Sequence, residues 1–215
     1  MEAPPTVSAA ELDEVLPLLL AALVADGVVV LPTDTVYGLA ALPTSHAAID
    51  ALFALKGRGH DVPLAVLCAD LDQALGLVDP ALASVVSALA ERWWPGPLTL
   101  VLPRRRGVGL HLGEPPTTIG VRIPDHDLVR AVARAAGPIA ATSANRHGDP
   151  TPSTAGGAAR ALGAGLALVV DGGRLDVRSS TVVDGTAAPW RVLRDGPVSG
   201  AEVIAAADAL LHHGR

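Results

Sequence analysis

The chain has 215 residues, half of them apolar and only 2% aromatic, with a formal net charge of −6. That length fits one large domain with a substantial core, which Ala, Val and Leu must fill. The acidic balance argues against a module held to nucleic acid by broad electrostatics. A lone cysteine, Cys68, excludes an intramolecular disulfide and a cysteine metal cluster.

The N-terminus has no basic segment ahead of an apolar stretch, so no signal peptide is predicted. The greasiest run, Val15 to Val24, contains Pro17 and falls short of the about 20 residues that a bilayer span requires. A cytoplasmic protein without a membrane partner is expected.

In chain order, the first helix is predicted to start at Ser8, because Ser8 and Glu11 have the S-x-x-E spacing of a capping box. Gly27 stops it. Val28 to Leu31 is a continuous apolar run, as in a strand buried on both faces. The polar loop Pro32-Thr33-Asp34-Thr35 follows. A second helix is predicted from Ser45 to Lys56, with Ile49, Leu52 and Phe53 on one face and Gly57 as its stop. Leu64 to Cys68 reads as a buried strand.

Asp79 and Pro80 open the next helix, whose stripe is Leu82, Val85, Val86 and Leu89. Pro95-Gly96-Pro97 breaks it. Strands are predicted at Leu98 to Leu102 and Thr118 to Ile123. Asp125 is the expected cap of a helix bearing Leu128, Val129 and Val132 and ending at Gly137. Ile139 to Thr142 is a short strand, Ser153 begins a glycine-weakened helix, and Leu166 to Val170 is a strand. Ser180 to Val183 and Arg191 to Leu193 read as an antiparallel pair. The last helix repeats the capping box as Ser199 and Glu202.

Strands and helices alternate over residues 8–212 without a linker or repeat, so one α/β domain is predicted, with no second. The late strands lie too close together for helical crossovers, which makes the twisted sheet mixed. Polar loops at strand ends are where such sheets put ligands. Three qualify, after Leu31, after Thr142 and after Val170.

Common catalytic motifs are missing. There is no P-loop. Gly57-Arg58-Gly59 follows a helix and lacks a third fingerprint glycine. Ser143 lies in Ala-Thr-Ser-Ala-Asn rather than in a nucleophile elbow. The seven histidines form no H-x-x-x-H pair. One count stands out: fifteen arginines accompany a single lysine, Lys56. An ammonium is a compact point charge and a guanidinium a planar fork, so Lys56 marks a place where only Lys serves. Lys56-Gly57-Arg58 puts two cations at a helix end, outside the core. Helix-dipole compensation would explain part of that; an anionic ligand between the two charges explains more.

Several segments occur together in order: Pro32-Thr33-Asp34-Thr35-Val36-Tyr37-Gly38-Leu39, Lys56-Gly57-Arg58 then Pro63-Leu64, Trp94 to Thr99, Gly120 to Pro124, Ser143-Ala144-Asn145, Ser179-Ser180-Thr181 and Arg194-Asp195-Gly196. Over about residues 10–200 the chain resembles the YrdC-like threonylcarbamoyl-AMP synthases, in their short form. The resemblance implies a twisted α/β sheet around a concave, positively charged cavity. It implies synthesis of threonylcarbamoyl-AMP from L-threonine, bicarbonate and ATP, with Mg²⁺ entering on the nucleotide and pyrophosphate leaving. A tRNA threonylcarbamoyl-transferase complex would be the downstream partner.

Carried over residue by residue, the resemblance gives Lys56 and Arg58 the catalytic contacts to the ATP phosphates. Thr118, Ser143, Asn145 and Arg194 join them on the nucleotide. Arg122 becomes the clamp on threonine's carboxylate, with Thr35, Thr142 and Ser180 beside it. Gly59 and Val62 depart from the family's usual proline and asparagine. Two other readings compete. One is a double-stranded RNA-binding or ribosome-assembly module using the same cavity, with Arg104-Arg105-Arg106 as a weak RNA contact. The other is a carbamoyl-adenylate domain of hydrogenase maturation proteins, which carry zinc-finger cysteines that this chain lacks.

Overall fold

The computed structural model describes residues 4–114, 117–176 and 178–213. In chain order its strands are β1 (Thr6–Ser8), β2 (Val28–Leu31), β3 (Gly38–Ala41), β4 (Ala65–Leu67), β5 (Leu98–Pro103), β6 (Thr118–Arg122), β7 (Ile139–Ser143), β8 (Leu166–Asp171), β9 (Thr181–Asp184) and β10 (Arg191–Arg194). The helices are α1 (Leu12–Val24), α2 (His46–Lys56), α3 (Leu71–Leu75), α4 (Ala83–Trp93), α5 (Asp127–Ala136), α6 (Ala155–Leu162) and α7 (Gly200–His213). All ten strands form one sheet in the order β1-β8-β2-β3-β7-β4-β6-β5-β9-β10. Pairings of both senses occur: β2 runs parallel to β8 and antiparallel to β3, and β4 parallel to β6 and antiparallel to β7. The mixed α/β sheet expected from the sequence is present.

Several boundaries differ from expectation. Ser8 ends a strand paired with β8, and its hydroxyl accepts the Ala10 N–H at 3.2 Å instead of capping a helix. Glu11 takes the N-cap position of α1 without a side-chain bond. An edge strand of three residues outcompeted the local capping pattern because β8 offered it a backbone ladder. Asp79 does cap, but the first turn after it is a 3-10 turn, Pro80–Leu82, before α4 begins. At α5 the N-cap is His126; Asp125 instead accepts from Arg130 at 3.3 Å. Thr154, one residue after Ser153, caps α6 by accepting from the Gly157 N–H. The predicted limits of α2 hold, with Ser45 accepting from the Ala48 N–H and Gly57 in the left-handed region at φ 65°.

The sheet has two unequal faces. On one, α2, α4, α6 and α7 bury a core that includes Leu52, Phe53, Val86, Leu89, Leu98, Leu100, Val121, Leu162 and Val203. On the other, α1 and α5 cover β8, β2, β3, β7 and β4 through Leu19, Leu23, Val129 and Val132. Successive strand side chains point to opposite faces. In β5, Leu98, Leu100 and Leu102 therefore enter the first core, while Thr99 and Val101 point the other way. In β6, Val121 is core and Thr118, Gly120 and Arg122 share the opposite face. Past β4 that second face is open, and the cavity lies there.

Candidate functional site

The cavity holds about 380 Å³, within the range of small-molecule sites. Ala65, Gly120 and Ala141 lie side by side across β4, β6 and β7, in registered pairs that leave room above the sheet. Thr33, Thr35, Thr99, Thr118, Thr142, Ser143, Ser179 and Ser180 supply hydroxyls. Arg58, Arg122 and Arg194 supply charge; among the described lining residues there is no Asp, Glu, His or Cys.

Arg122 sits in a fixed cradle. Its Nε donates to the Gly96 carbonyl at 2.9 Å, one terminal nitrogen to Thr35 Oγ1 at 3.0 Å, and the other to Asp34 Oδ1 at 2.6 Å. The residue is only 5% exposed. A guanidinium has five N–H groups, so two remain for a ligand. The loop that presents Thr35 is built by Thr33. Its hydroxyl donates to the Val36 carbonyl at 2.7 Å and accepts the Thr35 and Val36 N–H groups. With that proton spent, the 3.0 Å contact between the two threonines has Thr35 as donor. Thr35 thus accepts from Arg122 and donates to Thr33, which fixes the guanidinium plane.

Across the cavity Arg194 donates from Nε to the Ser180 carbonyl at 2.9 Å and from a terminal nitrogen to Ser180 Oγ at 3.0 Å. Ser180 Oγ also meets Thr99 Oγ1 at 2.9 Å. Burial and then the charge of Arg122 lower the pKa of Arg194. Two guanidiniums facing one cavity, only one of them paired with a carboxylate, favour an anion between them.

Lys56 lies elsewhere than a solvent-facing helix end. It is 3% exposed, behind Ser143, and does not line the cavity. Its Nζ donates to the Ser143 carbonyl at 2.5 Å, Ser143 Oγ at 3.1 Å and Asn145 Oδ1 at 2.7 Å. Burial, then the charge of Arg58, lowers its pKa to about 8. Asn145 completes the turn by donating to the carbonyls of Arg146 and Asp149. Because Ser143 Oγ accepts from an ammonium, its own proton is left to point at a cavity ligand. Arg58 does line the cavity, half-buried; its Nε is buried without a partner, as suits a group awaiting an acceptor.

The structure brings Thr35, Arg58, Thr118, Arg122, Thr142, Ser143, Ser180 and Arg194 to one cavity, and sets Lys56 and Asn145 behind it. Sequence reasoning did not single out Thr99, Asp34 as the partner of Arg122, or Gly120. Alternation of polar or small with apolar residues in β5 and β6 was the available signal. All three loops reach the cavity. The one after Val170 is tied down at its start by buried Tyr37, which donates to the Gly173 carbonyl at 2.6 Å and accepts the Gly172 N–H, and its far end brings Ser179 and Ser180 to the lining. Arg104 also departs from an exposed basic turn, since it donates inward to the carbonyls of Val108 and Leu110.

Fold and cavity define an α/β protein whose sheet carries a concave cavity lined by three guanidiniums and a set of hydroxyls. The family model Sua5_yciO_yrdC, described as Telomere recombination, matches residues 21–196. The chain belongs to this Sua5/YciO/YrdC family. A Mycobacterium tuberculosis (strain ATCC 25618 / H37Rv) protein, provisionally named threonylcarbamoyl-AMP synthase, is 39% identical over 179 residues, 83% of this chain and 82% of that one. Pyrococcus abyssi Sua5, solved in complex with L-threonine, superposes with a TM-score of 0.81 at 32% identity, over 95% of this chain and 61% of that chain. Escherichia coli YciO superposes at 0.80 with 25% identity, over 93% of this chain and 98% of that chain.

Proposed function

We propose that the chain synthesises L-threonylcarbamoyl-AMP from L-threonine, bicarbonate or CO2, and ATP, releasing pyrophosphate. The observation that carries this reading is Arg122. It is held by Asp34, Thr35 and Gly96 with two N–H groups to spare, the geometry that grips a carboxylate bidentately. Arg58 and Arg194, with Ser143 and Thr118, would meet the phosphates of ATP. Ser180 and Thr142 would flank threonine, and Lys56 with Asn145 would hold Ser143 toward the reacting groups. The lining offers no free carboxylate, so Mg²⁺ would be bound through phosphate oxygens and water.

The chemistry fits a site without a covalent nucleophile. The carbamate formed on the neutral amine of threonine attacks the α-phosphorus, and its lifetime depends on excluding water. Positioning and charge stabilisation then supply the rate. The product would pass to a tRNA threonylcarbamoyl-transferase complex, in the cytoplasm; no helix among the described residues is long and apolar enough to cross a membrane. Arg104 turns inward, so of the arginine run only Arg105 and Arg106 are left exposed for an RNA contact.

The test is direct. ATP, Mg²⁺, L-threonine and labelled bicarbonate should yield a labelled adenylate and pyrophosphate, and pyrophosphate release that ignores threonine would sink the reading. A second expectation concerns cavity space. A Cβ at Gly120 would lie 3.5 Å from Ala65 and 3.7 Å from Thr99, ordinary contacts, so Gly120→Ala should fold and work. Gly120→Leu should fold too, but fill the cavity and raise the threonine KM by about tenfold or more, equivalent to about 1.4 kcal/mol. Thermal melts alongside KM measurements separate the two effects.

A further inference from the structure

We infer that the segment from Val108 to Glu114 is a strap that sets the position of Arg58, and that Gly113 and His111 are positioning residues for the nucleotide. This rests on the reading that Arg58 meets the phosphates. Arg58 has little hold of its own. Its backbone N–H donates to the Phe53 carbonyl at 3.3 Å, but among the described residues its guanidinium has a single hydrogen bond, a 3.5 Å contact with the Pro63 carbonyl. Its Nε has no partner, and the group lies 5.6 Å from the Phe53 ring centre. Where it points is therefore set by the backbone of residues 57–63, a loop with glycine at both 57 and 59.

Beyond the bonds of Gly57 and Arg58 back to α2, the strap holds that loop at His60 and at its exit, Leu64. The Glu114 N–H donates to the His60 carbonyl at 2.6 Å, and the Leu64 N–H donates to the Leu112 carbonyl at 2.7 Å. Between them Gly113 has φ +93°, and a Cβ there would come to 2.5 Å from the His60 carbonyl oxygen and 3.1 Å from Phe53. Only glycine lets the two backbones approach so closely. The strap is itself anchored along its first four residues. Arg104 donates to the carbonyls of Val108 and Leu110. The His111 N–H donates to the Pro43 carbonyl at 2.7 Å, and its ring packs on His46 at the start of α2 with centres 3.1 Å apart. None of residues 108–114 lines the ligand cavity, whereas Arg58, Val62 and Pro63 do. The strap acts on the site through the loop it grips and through Phe53, which lies beneath the Arg58 guanidinium.

Gly113→Ala separates positioning from general damage. The ATP KM should rise about tenfold, with kcat and the threonine KM within about twofold of the unmodified chain. The double variant Gly113→Ala/Arg58→Ala should be no worse than Arg58→Ala alone, because both changes remove the same contact. If Gly113→Ala does not fold, His111→Ala adds no volume, loosens the anchor, and should show the same split and the same non-additivity. An unchanged ATP KM, effects additive with Arg58→Ala, or parallel loss of ATP and threonine affinity would overturn the strap. An unmodified chain with no threonine-dependent pyrophosphate release would instead overturn the functional reading, and the strap with it.

Discussion

Arg122→Ala is expected to lose both threonine binding and much of the protein's stability. The guanidinium and the Asp34 carboxylate are 2.6 Å apart, with side chains only 6% and 12% exposed. Removing the cation leaves that carboxylate, the Thr35 hydroxyl and the Gly96 carbonyl without their donor. Breaking a buried ion pair from one side costs about 3–5 kcal/mol, a large share of a typical fold's about 5–15 kcal/mol. Arg122→Lys is the cleaner probe. It keeps the charge, but a single ammonium cannot serve three acceptors in one plane and still offer two parallel N–H groups to a ligand. Its thermal midpoint should fall by only a few degrees. Its kcat/KM for threonine should drop about 100-fold, about 2.7 kcal/mol, the scale of one or two charge-assisted hydrogen bonds. A lysine variant with unmodified threonine kinetics would remove Arg122 from the carboxylate.

The sequence carried the local half of this architecture. Val28 to Leu31 and Leu166 to Val170 are short, valine-rich apolar runs that suit buried strands, and both became neighbours in the sheet. Gly38–Ala41 escaped notice because Gly-Leu-Ala-Ala has little strand propensity. It is a strand because β2 and β7 pair with it on both sides. The five residues of α3 are too few to show a period. At the site, charge and motif order pointed to Arg58, Arg122 and Arg194. What joins Asp34 to Arg122 across 88 positions is folding, and no local pattern encodes it. Thr99 and Gly120 were legible in principle: reading β5 and β6 by alternation puts Leu98, Leu100 and Val121 on one face and Thr99, Gly120 and Arg122 on the other. The rarity of lysine drew attention to a residue that the fold buries. It could not show that the ammonium turns inward to Ser143 and Asn145.

That inward turn fixes what Lys56 should do. Lys56→Ala should cut adenylate formation by about 100-fold or more, since losing one member of a buried charge-assisted set costs about 2–5 kcal/mol. It should also lower the melting temperature, because the Ser143 carbonyl and Asn145 Oδ1 would be left buried without this donor. A stability loss alone would leave the pH profile unchanged; a role for the charge would not. Burial, then Arg58, lowers the Lys56 pKa from 10.5 to about 8. Below about pH 8 the folded and unfolded chains both carry the proton, and the group adds no slope to stability. Between about 8 and 10.5 the unfolded chain still holds a proton that the folded one has released. Stability relative to Lys56→Met should therefore rise with pH across that window. Nucleotide affinity should move the other way, falling as pH passes about 8 and the site loses a positive charge. Measured without threonine, so that ionisation of its amine does not contribute, ATP affinity should show this alkaline fall in the unmodified chain and none in Lys56→Met. An identical fall in both proteins would mean that the charge on Lys56 is not what ATP senses.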